Sequence, residues 1–550
     1  MTEQNFSLLD RHFAGFLAGS SGLSGAKKEQ FYELAARVSA ALEAGHSCLP
    51  LTAEEEESLR GNPLVSDGGR TPLVLHNGRL YLHRYYHYET RLAAQVKAMA
   101  AVTLDSDRGE SLLDSSFEGD PTAVDWQKEA ARTALKKTLV IICGGPGTGK
   151  TTTVVKILAI LLQAAAEGRL PDIALAAPTG KAAMRLSESV GGSVKKLDLP
   201  ERIVKALPSA ASTLHRLLGV RRNSPQFRHN RDNPMPFDIV VVDEASMVDL
   251  ALMSKLVDAL KPGSRLLLLG DKDQLASVES GAVLGDLIRS LPDNTVTLQK
   301  TYRFDQNIKN LAAAINAADG ENAWGLLEAP EAENISLVGA NSFDTLIEPY
   351  ARFMARVHAP GNTDLRELFA LFNSFRVLCA VHYGSRGVDD FNRRIELFLA
   401  RRGFFSRSET WYPGRPVLVT RNDYGLELFN GDIGICLKDP DSDGGGDLKV
   451  WFERPDGGLK SFLPHRLPQC ETVFAMTIHK SQGSEFDEVV VVLPEEDNKI
   501  LSRELLYTAV TRAKKAVRLV AEKEVLRLAV FRNTVRYSGL TEFLEERTER

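Results

Sequence analysis

The chain has 550 residues, 43% of them apolar and 25% charged, and 67 basic against 72 acidic residues leave a net charge of −5. That length accommodates three or four domains at about 150 residues each, and the slightly acidic balance excludes a globally basic nucleic-acid binder, so any such site has to be a local groove. The five cysteines (Cys48, Cys143, Cys379, Cys436, Cys470) are scattered without a C-x-x-C pair, which argues for a reducing compartment and against a zinc or iron–sulfur centre. The N-terminus has no signal pattern, and no apolar run approaches the ~20 residues of a membrane span. A cytoplasmic protein is the expectation.

Residues 1–105 read as a small N-terminal domain. Phe31, Leu34, Val38 and Leu42 share one face of a helix within Glu29–Gly45. Pro72–His76 and Arg79–His83 flank Asn77-Gly78, the two-residue signal of a type I′ hairpin. The next segment, Arg84-Tyr85-Tyr86-His87-Tyr88, is aromatic and basic. Core and surface of a small domain is the reading preferred there over direct stacking on DNA. Polar and acidic residues from Asp105 to Asp120 predict a linker, taken as 106–124.

From Asp125 the pattern becomes strand–helix alternation. Apolar strands are predicted at Leu139–Cys143, Ile173–Ala177, Ile239–Val242, Arg265–Leu269 and Thr295–Leu298, then at Arg376–Val381, Glu488–Leu493 and Ala516–Ala521. Helical segments between them imply parallel sheets covered on both faces. The expected fold class is therefore α/β, with one domain at 125–300 and another at 301–550. An interval rich in turn signals, about 412–470, reads as an all-β insert in the second.

The chemistry is concentrated at the strand ends. Gly144-Gly145-Pro146-Gly147-Thr148-Gly149-Lys150-Thr151 spells G-x-x-x-x-G-K-T between a buried strand and a helix that begins with Thr152. Backbone N–H groups of such a loop face a polyphosphate, Lys150 reaches the β/γ-phosphates and the Thr151 hydroxyl holds Mg²⁺. Asp243-Glu244 ends an entirely apolar strand, where ligands of open α/β sheets bind. Asp243 is placed for the Mg²⁺ shell and Glu244 for the attacking water. Gln274, in Gly270-Asp271-Lys272-Asp273-Gln274, can sense the γ-phosphate. Arg303 and Arg512 are candidate arginine fingers.

In that order, and with Thr477–Phe486 between them and the closing Val510-Thr511-Arg512-Ala513, these segments resemble the superfamily 1 helicases. Trp126-Gln127 resembles the adenine-reading glutamine motif. Phe429–Gly434, His479–Glu485 with Asp487, and His46–Leu51 with Leu80–Arg84 narrow the likeness to the RecD family, the alpha subunits of RecBCD exodeoxyribonuclease V complexes. The resemblance implies two RecA-like P-loop motor domains with ATP and Mg²⁺ between them, Gln127 and Glu485 beside the nucleotide, and an SH3-type β insert. It also implies a single-strand DNA track through Thr179, Lys181, Thr213, His215, Thr477, His479 and Lys480. A duplex-splitting pin is implied at 219–237, carrying Arg221, Arg222 and Arg228. Travel would run 5′ to 3′ at DNA ends, beside RecB-like and RecC-like subunits docked through the N-terminal domain. No carboxylate cluster with a lysine at nuclease spacing occurs, so cutting is expected of another subunit. The alternatives are a stand-alone RecD-like helicase and a non-translocating P-loop ATPase scaffold.

Overall fold

The computed structural model describes residues 6–104, 107–117, 124–165, 169–221, 223–299, 305–330, 332–339, 342–359, 364–423, 425–439, 447–454 and 457–546. Arg222 and Arg303 lie outside them, so neither the second pin arginine nor the first of the two candidate fingers has a described position.

Uninterrupted apolar strands form the centre of the first domain because both of their faces are covered. In Leu139–Cys143, Leu139 and Ile141 enter one core while Val140 and Ile142 enter the opposite one. The six strands are parallel, in the order Thr295–Thr297, Leu139–Cys143, Arg265–Gly270, Ile239–Val242, Ile173–Ala177, Ser212–Thr213. The phosphate-loop strand therefore lies beside the strand that ends at Gly270, with the Asp243-Glu244 strand next in line. All three C-terminal ends open on one edge of the sheet.

A second parallel sheet orders Ile335–Leu337, Ala513–Val520, Phe486–Val492, Phe375–Cys379 and Ala475–Thr477. Val489 and Val491 face one of its cores, Val490 and Val492 the other. Between Phe375–Cys379 and Ala475–Thr477 the chain builds the expected all-β insert as a five-stranded antiparallel sheet spanning Pro416 to Thr472. Gly434 has to be glycine there, since a Cβ would meet the Phe452 ring at 2.6 Å.

The N-terminal hairpin forms as expected, Leu73–His76 against Arg79–Leu82, with Asn77 and Gly78 both at positive φ (46° and 68°). Three segments sit differently from the expected domain division. The stretch assigned to a linker contains the helix Asp107–Ser116, whose Leu113, with the following Phe117, packs into the core under the phosphate loop. The aromatic-basic segment opens the helix His83–Ala100, and its Leu92, Ala93 and Val96 share a core with Leu252, Met253 and Leu256 of the first motor. The C-terminal helix Leu540–Glu545, expected within the second motor domain, returns to the same core. A charged stretch with few apolar residues gave no sign of the first, and partners hundreds of residues apart gave none of the others.

Glu89 fastens these pieces. Fully buried, it accepts hydrogen bonds from the Ser47 hydroxyl (2.5 Å), the Ser538 hydroxyl (2.9 Å) and the Gly539 N–H (3.1 Å). Burial pushes its carboxyl up to about 7, against the pull of the Ser47 and Ser538 hydroxyls. Between pH 4.5 and 7 the folded chain keeps a proton that the unfolded chain releases, so this group stabilises at low pH and loses that contribution as pH rises through the folded value. Glu89→Gln removes the dependence. Its melting temperature relative to wild type should be higher at pH 8 than at pH 5, by the equivalent of about 2–3 kcal/mol. An offset equal at both pH values would contradict this.

Candidate active site

The two sheets face each other across a cleft of about 820 Å³. Pro146, Gly147, Gly149, Lys150, Thr151 and Thr152 form its floor, with Asp243, Glu244 and Gln274 beside them. Glu485 and Arg512 close it from the second domain. Gln127 also lines it, and its amide Nε2 lies 3.5 Å from the Thr148 carbonyl. Twelve of the positions read from the sequence thus meet at one place from segments hundreds of residues apart.

The loop's shape follows from its residues. Gly147 and Gly149 sit at φ 76° and 83°, a region open to glycine at no steric cost. A Cβ on Gly144 would lie 2.7 Å from the Thr148 hydroxyl. Thr148 itself turns inward, donating to the Gly145 carbonyl at 2.9 Å, and so holds the loop rather than lining the cleft. Lys150 Nζ donates to the Gly144 and Gly145 carbonyls at 2.6 and 3.1 Å.

Asp243 accepts the Glu244 N–H at 2.9 Å. Burial, then the neighbouring Glu244 charge, raises its carboxyl well above the usual range, and Lys150 opposes them. Two carboxylates so placed favour a cation. Among the described residues no group of three or more His, Cys, Asp or Glu side chains is arranged as a metal site. Mg²⁺ is usually held by one or two carboxylates together with substrate phosphates. Thr151 and Asp243 are the residues available to it.

Contacts between the domains concentrate at this cleft. Gln274 Nε2 donates to Asp271 at 3.1 Å, and Tyr507 of the second domain donates to the same Asp271 oxygen at 3.1 Å. The Leu275 N–H donates to the Thr508 hydroxyl (2.9 Å), and Gln482 Nε2 to the Leu275 carbonyl (3.1 Å). The sequence reading missed Arg185, which lines the cleft from the first domain. It pairs with Glu485 at 2.5 Å and donates to the Gly483 carbonyl at 2.8 Å. Its one signal was a position four residues after Lys181, on the same helix face.

The expected strand track is less uniform. Thr179 and Thr213 accept the Ala182 and Arg216 N–H groups as helix N-caps, and Thr477 accepts the Lys480 N–H. Lys480 is paired with Glu471 of the insert at 2.5 Å. Lys181 faces Asp432 and Glu453 across the domain junction, and burial lowers its pKa. His479 and His215 are likewise lowered by burial. The insert reaches over the groove, with Phe429 lying 4.5 Å from the Arg216 guanidinium of the first domain.

The interval expected to form the pin takes the form of a loop. Among the described residues, 219–237 forms no two-stranded ladder, only isolated bridges at Val220–Phe227 and Asn230–Asn233. Pro225, Pro234 and Pro236 remove ladder donors, and the Pro225 carbonyl is taken by Lys255 at 3.1 Å. Arg221 is exposed on this loop, while Arg228 packs its Cβ against Gly219.

Residues 127–280 match the AAA domain family, and residues 472–520 match the UvrD-like helicase C-terminal domain. The two walls of the cleft are thus those of a superfamily 1 helicase, an ATP-dependent DNA-unwinding motor. Residues 2–62 match the N-terminal domain of RecBCD enzyme subunit RecD. A Mycobacterium tuberculosis protein named RecBCD enzyme subunit RecD is 43% identical over 90% of this chain and 86% of its own length. The ATP-dependent RecD2 DNA helicase of Deinococcus radiodurans is 34% identical over 80% of this chain and 54% of its own. Among solved structures, the Pif1 helicase of Candida albicans is 17% identical, with a TM-score of 0.40 and coverage of 77% of this chain and 98% of that one. The chain belongs to the RecD family.

Proposed function

We propose that this chain is the 5′-to-3′ single-strand DNA motor of a RecBCD-type complex that processes double-strand ends for recombinational repair, with RecB-like and RecC-like partners docked through its N-terminal domain. The observation that carries the motor reading is the cleft itself, with a phosphate loop on one parallel sheet and a buried arginine on the other. The N-terminal match at residues 2–62 supports the assembly, since it covers a unit that has its own apolar core outside the motor.

ATP would lie with its phosphates over Gly147 and Gly149 and its adenine toward Gln127. Lys150 leaves the loop carbonyls for the β/γ-phosphates. Thr151 and Asp243 hold Mg²⁺, which when bound neutralises charge on the β- and γ-phosphates. Glu244 takes the proton of the attacking water, and Gln274 meets the γ-phosphate. Because Gln274 and Tyr507 share Asp271, loss of the γ-phosphate is felt at the second domain through two hydrogen bonds. DNA passes between the insert and the first domain, near Thr179, Lys181, Thr213, His215, Thr477, His479 and Lys480. The capped threonines would meet sugar-phosphate through their backbone, and the cations through charge.

Lys150→Gln tests this reading. It should abolish ATP hydrolysis and unwinding while leaving association with the two partner subunits intact, measured by co-purification and by strand displacement on 5′- and 3′-tailed duplexes. Loss of assembly with unwinding retained would favour an ATPase scaffold. The likeness to the Deinococcus radiodurans RecD2 helicase supports a second reading, a motor active alone. Robust unwinding by the isolated wild-type chain would select it.

A further inference from the structure

Beside the pin loop, the helix His83–Ala100 and the start of Leu250–Asp258 enclose a cavity of about 320 Å³. That is the lower end of the range of ligand pockets, which run from about 300 Å³. Its wall carries two aromatic rings, Tyr85 and Tyr88, and two cations, Arg84 and Lys255, with no carboxylate. The tyrosine rings meet edge to face at 6.1 Å, and both line the cavity. Lys255 Nζ lies 5.7 Å from the Tyr88 ring and 5.5 Å from the ring of Phe227, a pin-loop residue.

The charges are the telling feature. Arg84 is exposed and forms no ion pair with any described residue. Its charge lowers the pKa of Lys255, behind the larger effects of burial, which also lowers it, and of Asp249, which raises it. The nearest acids, Asp249 and Glu279, line the adjoining cavity, which Lys255 also reaches, and Asp249 is occupied as the N-cap of the Leu252 N–H at 2.8 Å. Arg84 and Lys255 share a cavity whose wall carries no carboxylate, and an anion bound there would relieve their mutual repulsion. Ring faces beside such a pair fit a base with its phosphate, the recurring pattern of single-strand binding sites. The adjoining cavity is lined by His215 and Phe227, so the site continues from the expected strand track.

We infer that this cradle binds one unpaired nucleotide of the DNA strand, its base stacked on Tyr85 or Tyr88 and its phosphate on Arg84 and Lys255. The inference rests on the single-strand motor reading and places a contact of the N-terminal region at the pin loop. Its job would be to keep a base unstacked where the duplex parts.

The test uses the full-length chain, fluorescein-labelled oligothymidylate as the binding probe, and 5-iodouracil-substituted oligothymidylate as the crosslinking probe. Tyr88→Leu should weaken oligonucleotide binding by about tenfold. Arg84→Gln should lower the slope of log affinity against log salt by about one. DNA-free ATPase should be unchanged in both, which also reports correct folding. Irradiation of the wild-type complex should place adducts on Tyr85 or Tyr88. Adducts confined to other residues overturn the proposal, as do variants that bind with wild-type affinity and salt slope. Loss of subunit association in Tyr88→Leu with oligonucleotide affinity unchanged also overturns it and gives the cradle to a protein partner. If wild type binds DNA and is stimulated by it while the variants match it, the cradle alone fails. If Lys150→Gln still unwinds, the motor reading fails instead.

Discussion

Arg512→Ala should lower DNA-stimulated ATP turnover by about 10³–10⁵, the factor an arginine finger supplies in phosphoryl transfer, with little change in the KM for ATP. Arg512 is only 2% exposed, yet it donates to backbone carbonyls, Thr508 from Nε at 3.1 Å and Ser484 from Nη1 at 3.2 Å. Burial lowers its pKa, and the nearby Glu244 and Glu485 charges oppose that without cancelling it. A buried guanidinium beside the phosphate loop is suited to the charge that spreads over the transferring phosphoryl oxygens. It belongs to the second domain, so its distance from the phosphates depends on closure. With Arg512 as the finger, hydrolysis would be slow until the domains close, tying fuel use to movement. Arg512→Lys should not rescue, because a point charge lacks the planar fork. Steady-state ATPase with saturating DNA reads the effect. Turnover close to wild type in Arg512→Ala would remove Arg512 from the reaction.

The motor sheets were legible because their strands are buried on both faces. Leu139–Cys143, Ile173–Ala177 and Ile239–Val242 were read from sequence residue for residue, since a strand covered on both sides has no polar alternation to blur its ends. The nucleotide motifs were legible for a related reason. A phosphate loop needs glycines where a Cβ would collide, as at Gly144 against Thr148. What escaped depends on partners distant in the chain. Nothing local in Tyr537–Glu546 says that it crosses to Ser47, Arg79 and Glu89, yet Arg79 pairs with Glu542 and Ser47 donates to the Tyr537 carbonyl. Thr179 and Thr213 were chosen as small donors for a phosphate backbone, and the same hydroxyl chemistry makes them helix caps. Residue type alone does not separate those uses. Arg185 was overlooked because its acid, Glu485, lies 300 residues away on the other domain.

Glu244 is the position where backbone and chemistry are most visibly in conflict, and Glu244→Gln should lower turnover by about 10²–10⁴ with ATP still bound, the range of a general base. Its φ and ψ are 52° and 40°, the left-handed region, which costs a residue with a Cβ roughly 1–2 kcal/mol. The strand Ile239–Val242 would otherwise run on past the cleft. The left-handed turn after Asp243 ends it, lets the Glu244 carbonyl accept the Met247 N–H at 3.0 Å, and puts the carboxylate on the cleft wall. Strain of this kind persists where the surrounding structure over-determines it, commonly at active sites. Glu244→Gly separates the two roles. Glycine adopts this conformation freely, so the variant should unfold at a higher temperature than wild type while losing turnover as completely as Glu244→Gln. Removing the Glu244 charge also lets the Asp243 carboxyl fall back toward its ordinary range, since that charge is the second cause of its elevation after burial. Mg²⁺-dependent ATP binding to Glu244→Gln should therefore persist to lower pH than in wild type. A Glu244→Gly protein less stable than wild type would mean that the turn is held by the glutamate side chain, and an acid limb of ATP binding that does not move would break the coupling between the two carboxylates.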